Sequence, residues 1–384
     1  VRLVFVTGAL THGGAERHSI ALVNRLGERG HECHAVYVKD GAEQLARLRG
    51  AASTTCLRAA RYLHPRPVRM LSELLQRSRP GVVIAANAYA AMYARLALRL
   101  SGVRAALAIT YHTTVPANRK EWLQMLYYRP LFWSADCVVF VCEAQRRYWL
   151  ARRLRGQRNE VIYNGIDPGA WLPRPEDEAA YARRLLGLAD DDFVVGMCAL
   201  LRPEKNHVQL VDAIAALRAR GVPARALLIG EGPTRAAVEA RAAQRGVARH
   251  VLITGVQEDV RPLLAACDAV ALCSTRVETF SMAALEAMAM ARPVVHAELG
   301  GAAEMIAHGS DGYLFPVSDT PALVERLAEL AVPARRKRMG AAARASVVSR
   351  FAEQAMVERY EHLFLELETT RSTRETSPRL RGAN

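Results

Sequence analysis

Short apolar runs alternate with stretches of helical periodicity along this sequence, and the series occurs twice. In the first half the runs are residues 1–7, 34–38, 82–86, 105–110 and 137–141. In the second half they are 193–198, 226–229, 251–254, 269–273 and 293–296. Runs of four to seven apolar residues separated by helix-length segments predict strands buried on both faces, paired in parallel and joined by right-handed crossovers. The expected class is α/β, a parallel sheet covered by helices on both sides.

Between the two series the chain reads Val161-Ile162-Tyr163-Asn164-Gly165-Ile166-Asp167-Pro168-Gly169, followed by Pro173 and Pro175. Such a density of turn formers marks a boundary, and 384 residues exceed what one compact core usually holds. We expect a first domain over residues 1–165 and a second over 166–350. Beyond Pro321 the sequence reads as helix to about Glu368, interrupted near Pro333. A final helix over 351–368 is expected to cross back to the first domain, and the polar residues 369–384 are expected to be disordered.

Composition narrows the function classes. No apolar run reaches the roughly 18 residues of a membrane span, and no charged start leads into an apolar secretory segment. Seven cysteines lack paired short spacings and read as reduced thiols of a cytoplasmic protein. Cys137 and Cys142 fall in an apolar run and read as core rather than as metal ligands. Net charge is +15 over residues 1–165 and −1 over the remainder. So uneven a distribution suggests that the first half meets an anionic partner, with a solubilising surface as the alternative. Arg58, Arg61, Arg66, Arg69, Arg77 and Arg79, interleaved with Leu57, Leu63, Met70, Leu71 and Leu74, form the candidate surface for peripheral contact with an anionic membrane at the inner face of the plasma membrane.

The strongest chemical signal is Glu278-Thr279-Phe280-Ser281-Met282-Ala283-Ala284-Leu285-Glu286, directly after an apolar strand. A helix starting near Ser281 aims unpaired amide groups and its positive end at whatever lies before it, which suits a phosphate. Glu278 and Glu286 flank that start, and carboxylates accept hydrogen bonds from sugar and ribose hydroxyls.

This segment resembles the donor-site motif of the retaining GT-B glycosyltransferases of family four, the group 1 type of bacterial polysaccharide and lipopolysaccharide synthesis. Gly13-Gly14-Ala15-Glu16-Arg17, Tyr163-Asn164-Gly165-Ile166-Asp167, Pro203-Glu204-Lys205-Asn206, Gly230-Glu231-Gly232-Pro233, Gly300-Gly301-Ala302-Ala303-Glu304 and Asp311-Gly312-Tyr313-Leu314 follow in the family's order over nearly the whole chain. The resemblance implies two Rossmann-like domains whose parallel sheets face a central cleft. It also implies that Glu286 binds the nucleotide ribose and Glu278 the transferred sugar. The backbone of Thr279, Phe280, Ser281 and Met282 would cradle the diphosphate, Lys205 would neutralise it, and Gly13 and Gly14 would allow close approach of the opposite domain. His112, after an apolar strand, matches the histidine facing the reacting sugar; by itself it reads as a polar strand cap. The family's diphosphate-clamping arginine is replaced by Leu200, with Arg202 as the substitute two positions on. Thr279 stands where a glycine is common, and Ala291-Arg292 replaces a glycine-containing turn.

On this resemblance the expected reaction transfers a hexosyl group from a nucleoside diphosphate sugar, UDP favoured over GDP-mannose, to a glycan or lipid-linked acceptor, with retention and without a metal or other cofactor. A sugar-nucleotide epimerase or phosphorylase of similar fold is one alternative. A non-enzymatic nucleic-acid-binding protein is another, although the basic regions lack interleaved aromatics and no nucleic-acid partner is expected. Asp190-Asp191-Asp192 reads as a solvated turn, Arg335-Arg336-Lys337-Arg338 as an exposed helix face, and Gly230-Glu231-Gly232-Pro233 lacks the remainder of a dinucleotide or P-loop motif.

Overall fold

The computed structural model describes residues 1–11, 13–113 and 119–376, and the chain divides into two units. One comprises Val1–Tyr163 with Ala355–Asn384, the other Asn164–Gln354.

The first unit is built on seven parallel strands: β1 (Arg2–Thr7), β2 (Glu32–Tyr37), β3 (Ser53–Cys56), β4 (Val82–Ala86), β5 (Ala106–Tyr111), β6 (Cys137–Phe140) and β7 (Arg158–Val161). Their order is β3-β2-β1-β4-β5-β6-β7. Pairing is parallel throughout, as in Val4 opposite His34 on one side and Val83 on the other. Alternate residues serve opposite faces, because successive side chains in a strand point to opposite sides. Val4, Val6, Val83, Ala85, Leu107 and Ile109 pack with the helices Pro65–Ser78 and Asn87–Ser101. Leu3, Phe5, Val82, Ile84, Ala106 and Ala108 instead meet Met356, Val357, Tyr360, Leu363 and Phe364 of the last helix. That helix, Glu353–Thr376, runs eight residues beyond Glu368, so the expected disordered tail is helical as far as Thr376, and its remainder lies outside the described residues. Arg371 explains part of the extension, since its guanidinium pairs with Asp136 at 2.8 Å and gives the last turns a tertiary anchor.

The second unit holds six parallel strands, β8 (Phe193–Cys198), β9 (Ala224–Ile229), β10 (Val251–Ile253), β11 (Ala269–Leu272), β12 (Val294–Ala297) and β13 (Gly312–Phe315), ordered β10-β9-β8-β11-β12-β13. One face of this sheet, including Val195, Met197, Ala226, Leu228, Ala271 and Val295, packs with the helices His207–Ala219 and Thr320–Ala331.

Each sheet reverses its winding at one place, between β1 and β4 in the first unit and between β8 and β11 in the second. Loops leaving the carboxyl ends of such neighbours diverge to opposite faces of the sheet and leave a crevice, the usual ligand position in open α/β sheets.

Other sequence readings meet the structure as follows. Cys137 and Cys142 are buried free thiols, and burial pushes the Cys137 thiol up to about 12. Asp192 accepts from the Ala189 amide and pairs with Arg225, as a structured turn does. Arg335 and Arg336 pair with Glu329 and Asp268 on a largely exposed helix face. The basic surface needs a correction: Leu57, Leu71 and Leu74 are core residues, whereas all six arginines are exposed and Leu63 is the clearly exposed member of the apolar set. Within the helix Pro65–Ser78 the spacing puts Leu71 and Leu74 on the inward face and Arg66, Arg69 and Arg77 on the outward one, whereas Leu57 follows directly after β3.

Candidate active site

In the second unit the crevice between β8 and β11 gathers most of the residues singled out in the sequence. The loop after β8 carries Arg202 and ends in the single turn Pro203–Lys205, with Asn206 next in the left-handed region at φ 54°. The loop after β11 carries Ser274 to Ser281. Lys205 Nζ donates to Glu278 Oε2 at 2.6 Å, and Ser274 Oγ donates to the same oxygen at 3.1 Å. Burial works to raise the Glu278 pKa, but Lys205, His296 and the Ser274 hydroxyl outweigh it, so the carboxylate stays below its usual range.

The backbone around Glu278 is fixed from three sides. Thr275 N donates to the Glu204 carbonyl at 2.9 Å, which ties this loop to that of Lys205. Gly301 N donates to the Thr279 carbonyl at 2.7 Å, and the buried Asn164 donates through Nδ2 to the Phe280 carbonyl at 3.1 Å. Gly300, at φ 60°, lies so close to the Glu278 carbonyl that any Cβ would collide with it. Directly before the carboxylate, Val277 holds φ 57°, a costly conformation for a β-branched residue, and one of the kind that persists where surrounding structure over-determines it.

Ser281 then caps the helix Met282–Ala289, its Oγ accepting from Ala284 N at 3.3 Å. Thr279, Phe280 and Ser281 are buried, Met282 is half-buried, and Glu286 lies inside the helix at 2% exposure. Arg202, by contrast, is exposed and its side chain makes no hydrogen bond or ion pair among the described residues. Gly230 and Gly232 buttress the Lys205 loop: a Cβ on Gly230 would collide with the Ala199 carbonyl, and Leu201 N donates to the Glu231 carbonyl at 3.0 Å.

The first unit carries the other residues. Gly13 precedes the helix Gly14–Glu28 and leaves room for the Glu16 carboxylate, which a Cβ there would strike; Gly14 is exposed. His112 follows β5, and its backbone N donates to Asn87 Oδ1 at 2.9 Å. Its ring meets His18 edge-on at 4.9 Å, and His18 meets Tyr360 of the last helix at 5.4 Å. Burial lowers the His112 pKa to about 4, so the ring is neutral near pH 7. His18, with no hydrogen-bond partner at either ring nitrogen among the described residues, is lowered well below its ordinary value by burial and then by His112. Gln145 completes this end of β5: its Nε2 donates to the carbonyls of Tyr111 and Thr113, at 2.9 and 3.0 Å, while its Oε1 accepts from Val141 N. Sequence reasoning missed His18, Gln145 and Tyr360. Of these, the buried helical position of His18, one residue past the Gly-Gly-Ala-Glu-Arg segment, offered the one available signal.

Comparison with known proteins gives these features a context. Residues 12–170 match the model described as Glycosyltransferase Family 4, and residues 180–346 match that for Glycosyl transferases group 1. The chain belongs to glycosyltransferase family 4. Among family relatives, EpsD of Bacillus subtilis is 29% identical over 255 residues, 65% of each chain. The GDP-mannose-dependent alpha-(1-6)-phosphatidylinositol monomannoside mannosyltransferase of Mycolicibacterium smegmatis is 34% identical over 221 residues, 55% of this chain and 57% of that one. Both alignments thus span less than two thirds of the relative. The structure of Anabaena HepE, solved in complex with UDP, superposes with a TM-score of 0.85 at 22% identity, covering 95% of this chain and all of that one. The fold is GT-B, two α/β units with parallel sheets of seven and six strands.

Proposed function

We propose that this family 4 chain transfers a hexosyl group from a nucleoside diphosphate sugar to a hydroxyl of a glycan or lipid-linked acceptor, with retention of anomeric configuration and without a metal ion. The observation that carries the reading is the Lys205–Glu278 pair beside the amino end of the helix Met282–Ala289, in the crevice where the second sheet reverses. A cation and a row of amide donors suit a diphosphate, and an adjoining, partly exposed carboxylate suits sugar hydroxyls.

In this reading Thr279 to Met282 hold the diphosphate by their backbone and Lys205 neutralises it. Glu278 binds the transferred sugar, Glu286 the ribose, and Arg202 swings in as an auxiliary clamp. The bond from the anomeric carbon to the phosphate oxygen breaks, the acceptor oxygen attacks the same face, and its proton passes to the leaving phosphate. Lys205 and the amides stabilise the charge that develops there. His112, neutral and carrying one ring N–H, offers a hydrogen bond to the reacting sugar.

UDP is the favoured nucleotide, in line with the complex of HepE, and GDP-mannose is the alternative, in line with the mycobacterial relative. Thermal stabilisation across a panel of nucleotide sugars identifies the donor, since a ligand at 100 times its Kd stabilises by about 2.7 kcal/mol. Glu278→Ala is expected to reduce turnover at least 100-fold while the protein stays folded by circular dichroism. Near-normal turnover in that variant overturns the proposal, and mass analysis showing an altered donor sugar with no enlarged acceptor turns the reading to epimerisation.

The acceptor is proposed to be anionic and membrane-proximal, part of surface polysaccharide synthesis at the cytoplasmic face. No helix among the described residues is long and apolar enough to cross a membrane. The exposed arginines of residues 58–79 share the first unit with exposed Tyr62, Leu63, Trp122, Leu123 and Tyr127. Cations with interfacial aromatics suit peripheral contact with anionic lipid. Flotation is expected with phosphatidylglycerol liposomes and not with phosphatidylcholine; equal, negligible binding to both removes this part.

A further inference from the structure

The backbone at His112 is held before, at and after the residue. Its N–H donates at 2.9 Å to Oδ1 of Asn87, which stands at φ 67° at the start of the helix Asn87–Ser101. The Tyr111 carbonyl accepts from Gln145 Nε2 at 2.9 Å. The Thr113 carbonyl accepts from the same nitrogen at 3.0 Å and from Trp149 Nε1 at 2.8 Å. These bonds fix the course of the chain and leave the ring to its own two torsions, which decide where its nitrogens point. A neutral imidazole has one N–H to offer, so the hydrogen bond assigned to His112 depends on that direction.

His18 meets that ring edge-on, with centroids 4.9 Å apart and 64° between the planes. It sits one turn into the helix Gly14–Glu28, is 3% exposed, and is backed by Tyr360 at 5.4 Å and 65°. With Thr7, Ile84, Ala86 and Thr110, from the carboxyl ends of β1, β4 and β5, it lines a gap too tight for a water molecule. Neither of its ring nitrogens has a hydrogen-bond partner among the described residues. A buried polar group left so is costly, and each such group calls for an explanation. Hydrogen bonding supplies none for His18, whereas its flat ring does. Edge-on aromatic contacts favour a limited range of distances and angles, so a ring packed on both sides restrains the ring it faces.

We propose that His18 is a positioning residue for His112, fixing the orientation of its ring by edge-on contact while Tyr360 of the last helix holds His18 in place. The role rests on the part given to His112 in the reaction above and adds to it a residue that touches no reacting atom. Because His18 acts through the aim of a hydrogen bond made during reaction, it governs kcat and not the binding of the donor.

The test uses the full chain with His18→Leu, which removes the ring, and His18→Phe, which restores one, both checked for folding by circular dichroism. NMR coupling constants in histidine-labelled protein report the side-chain rotamers of His112 without any ligand. One rotamer is expected in wild type and in His18→Phe, and an average over several in His18→Leu. Release of UDP from UDP-glucose, and of GDP from GDP-mannose, with water as the acceptor gives kcat and KM. His18→Leu is expected to lower kcat about tenfold with KM within twofold, a loss of the size an edge-on aromatic pair can supply, and His18→Phe to recover it. A single His112 rotamer in His18→Leu, a loss in KM in place of kcat, or a folded His18→Phe as slow as His18→Leu each overturn the proposal. Should His18→Phe be too bulky to fold, the rotamers and the kinetic split of His18→Leu decide alone. Full turnover in His112→Ala, or no release by wild type from either donor, is a failure of the reaction reading itself. The ligand-free couplings distinguish that failure from an absence of contact between the two rings.

Discussion

His112 and His18 carry a pH dependence that follows chiefly from burial. A histidine in the unfolded chain titrates near about 6.5, whereas folded His112 titrates at about 4 and His18 is lowered too. Between those values the unfolded chain binds protons that the folded chain refuses. Stability from this pair is therefore fully present above about pH 6.5 and declines as the pH falls toward 4, by an amount of order 2–3 kcal/mol for His112. Urea unfolding at pH 7.5 and pH 5 is expected to show the loss, and His112→Gln to show less of it. Equal slopes in the two proteins refute the assignment. The functional counterpart is that the neutral ring persists across the physiological range, available as a hydrogen-bond donor and not as a cation.

At the scale of elements, the loop bearing Glu278 depends on a backbone approach that a glycine permits. Gly300 combines φ 60° with a Cβ position blocked by the Glu278 carbonyl, whereas Gly309, at φ 81°, has open space around its Cβ position. Gly309→Ala should cost about 1 kcal/mol, the ordinary penalty of left-handed backbone. Gly300→Ala should cost at least about 2 kcal/mol and weaken nucleotide binding, because the loop bearing Glu278 must move. Denaturant melts and nucleotide titrations of both variants check this, and equal effects on binding count against the loop's role. Strand recognition shows a related contrast. The central strands β4, β5, β6, β8 and β11 were legible as apolar runs because both faces are covered. β3, β7 and β13 were missed: each lies at a sheet edge, and Ser53–Cys56 and Arg158–Val161 in particular carry polar residues that an edge tolerates.

At the scale of the whole molecule, the two units differ in how the chain closes them. Asn164–Gln354 is continuous, and its ends are joined by Ile166 N to the Phe351 carbonyl at 2.9 Å and Glu353 N to the Ile166 carbonyl at 2.8 Å. The first unit is discontinuous: Met356, Val357, Tyr360, Leu363 and Phe364 cover one face of its sheet, burial worth of order 10 kcal/mol as an upper bound. Residues 164–354 expressed alone are expected to unfold cooperatively in urea and to retain nucleotide binding. Residues 1–163 alone, with that face bare, are expected to bind a hydrophobic dye and aggregate. A well-folded 1–163 fragment would show the last helix to be dispensable.

Local chemistry in the sequence determined the alternation of elements, the turn-rich boundary near Asn164, the phosphate-suited helix start at Ser281 and the pair Glu278 and Glu286, because each is written within a span of about ten residues. Tertiary structure alone decided that Lys205 meets Glu278 and that His18 and Tyr360 back His112. Those relations join residues tens to hundreds of positions apart, and they depend on strand order, register and the packing of one face against another. Periodicity constrains which face a residue takes but not which distant residue it meets there.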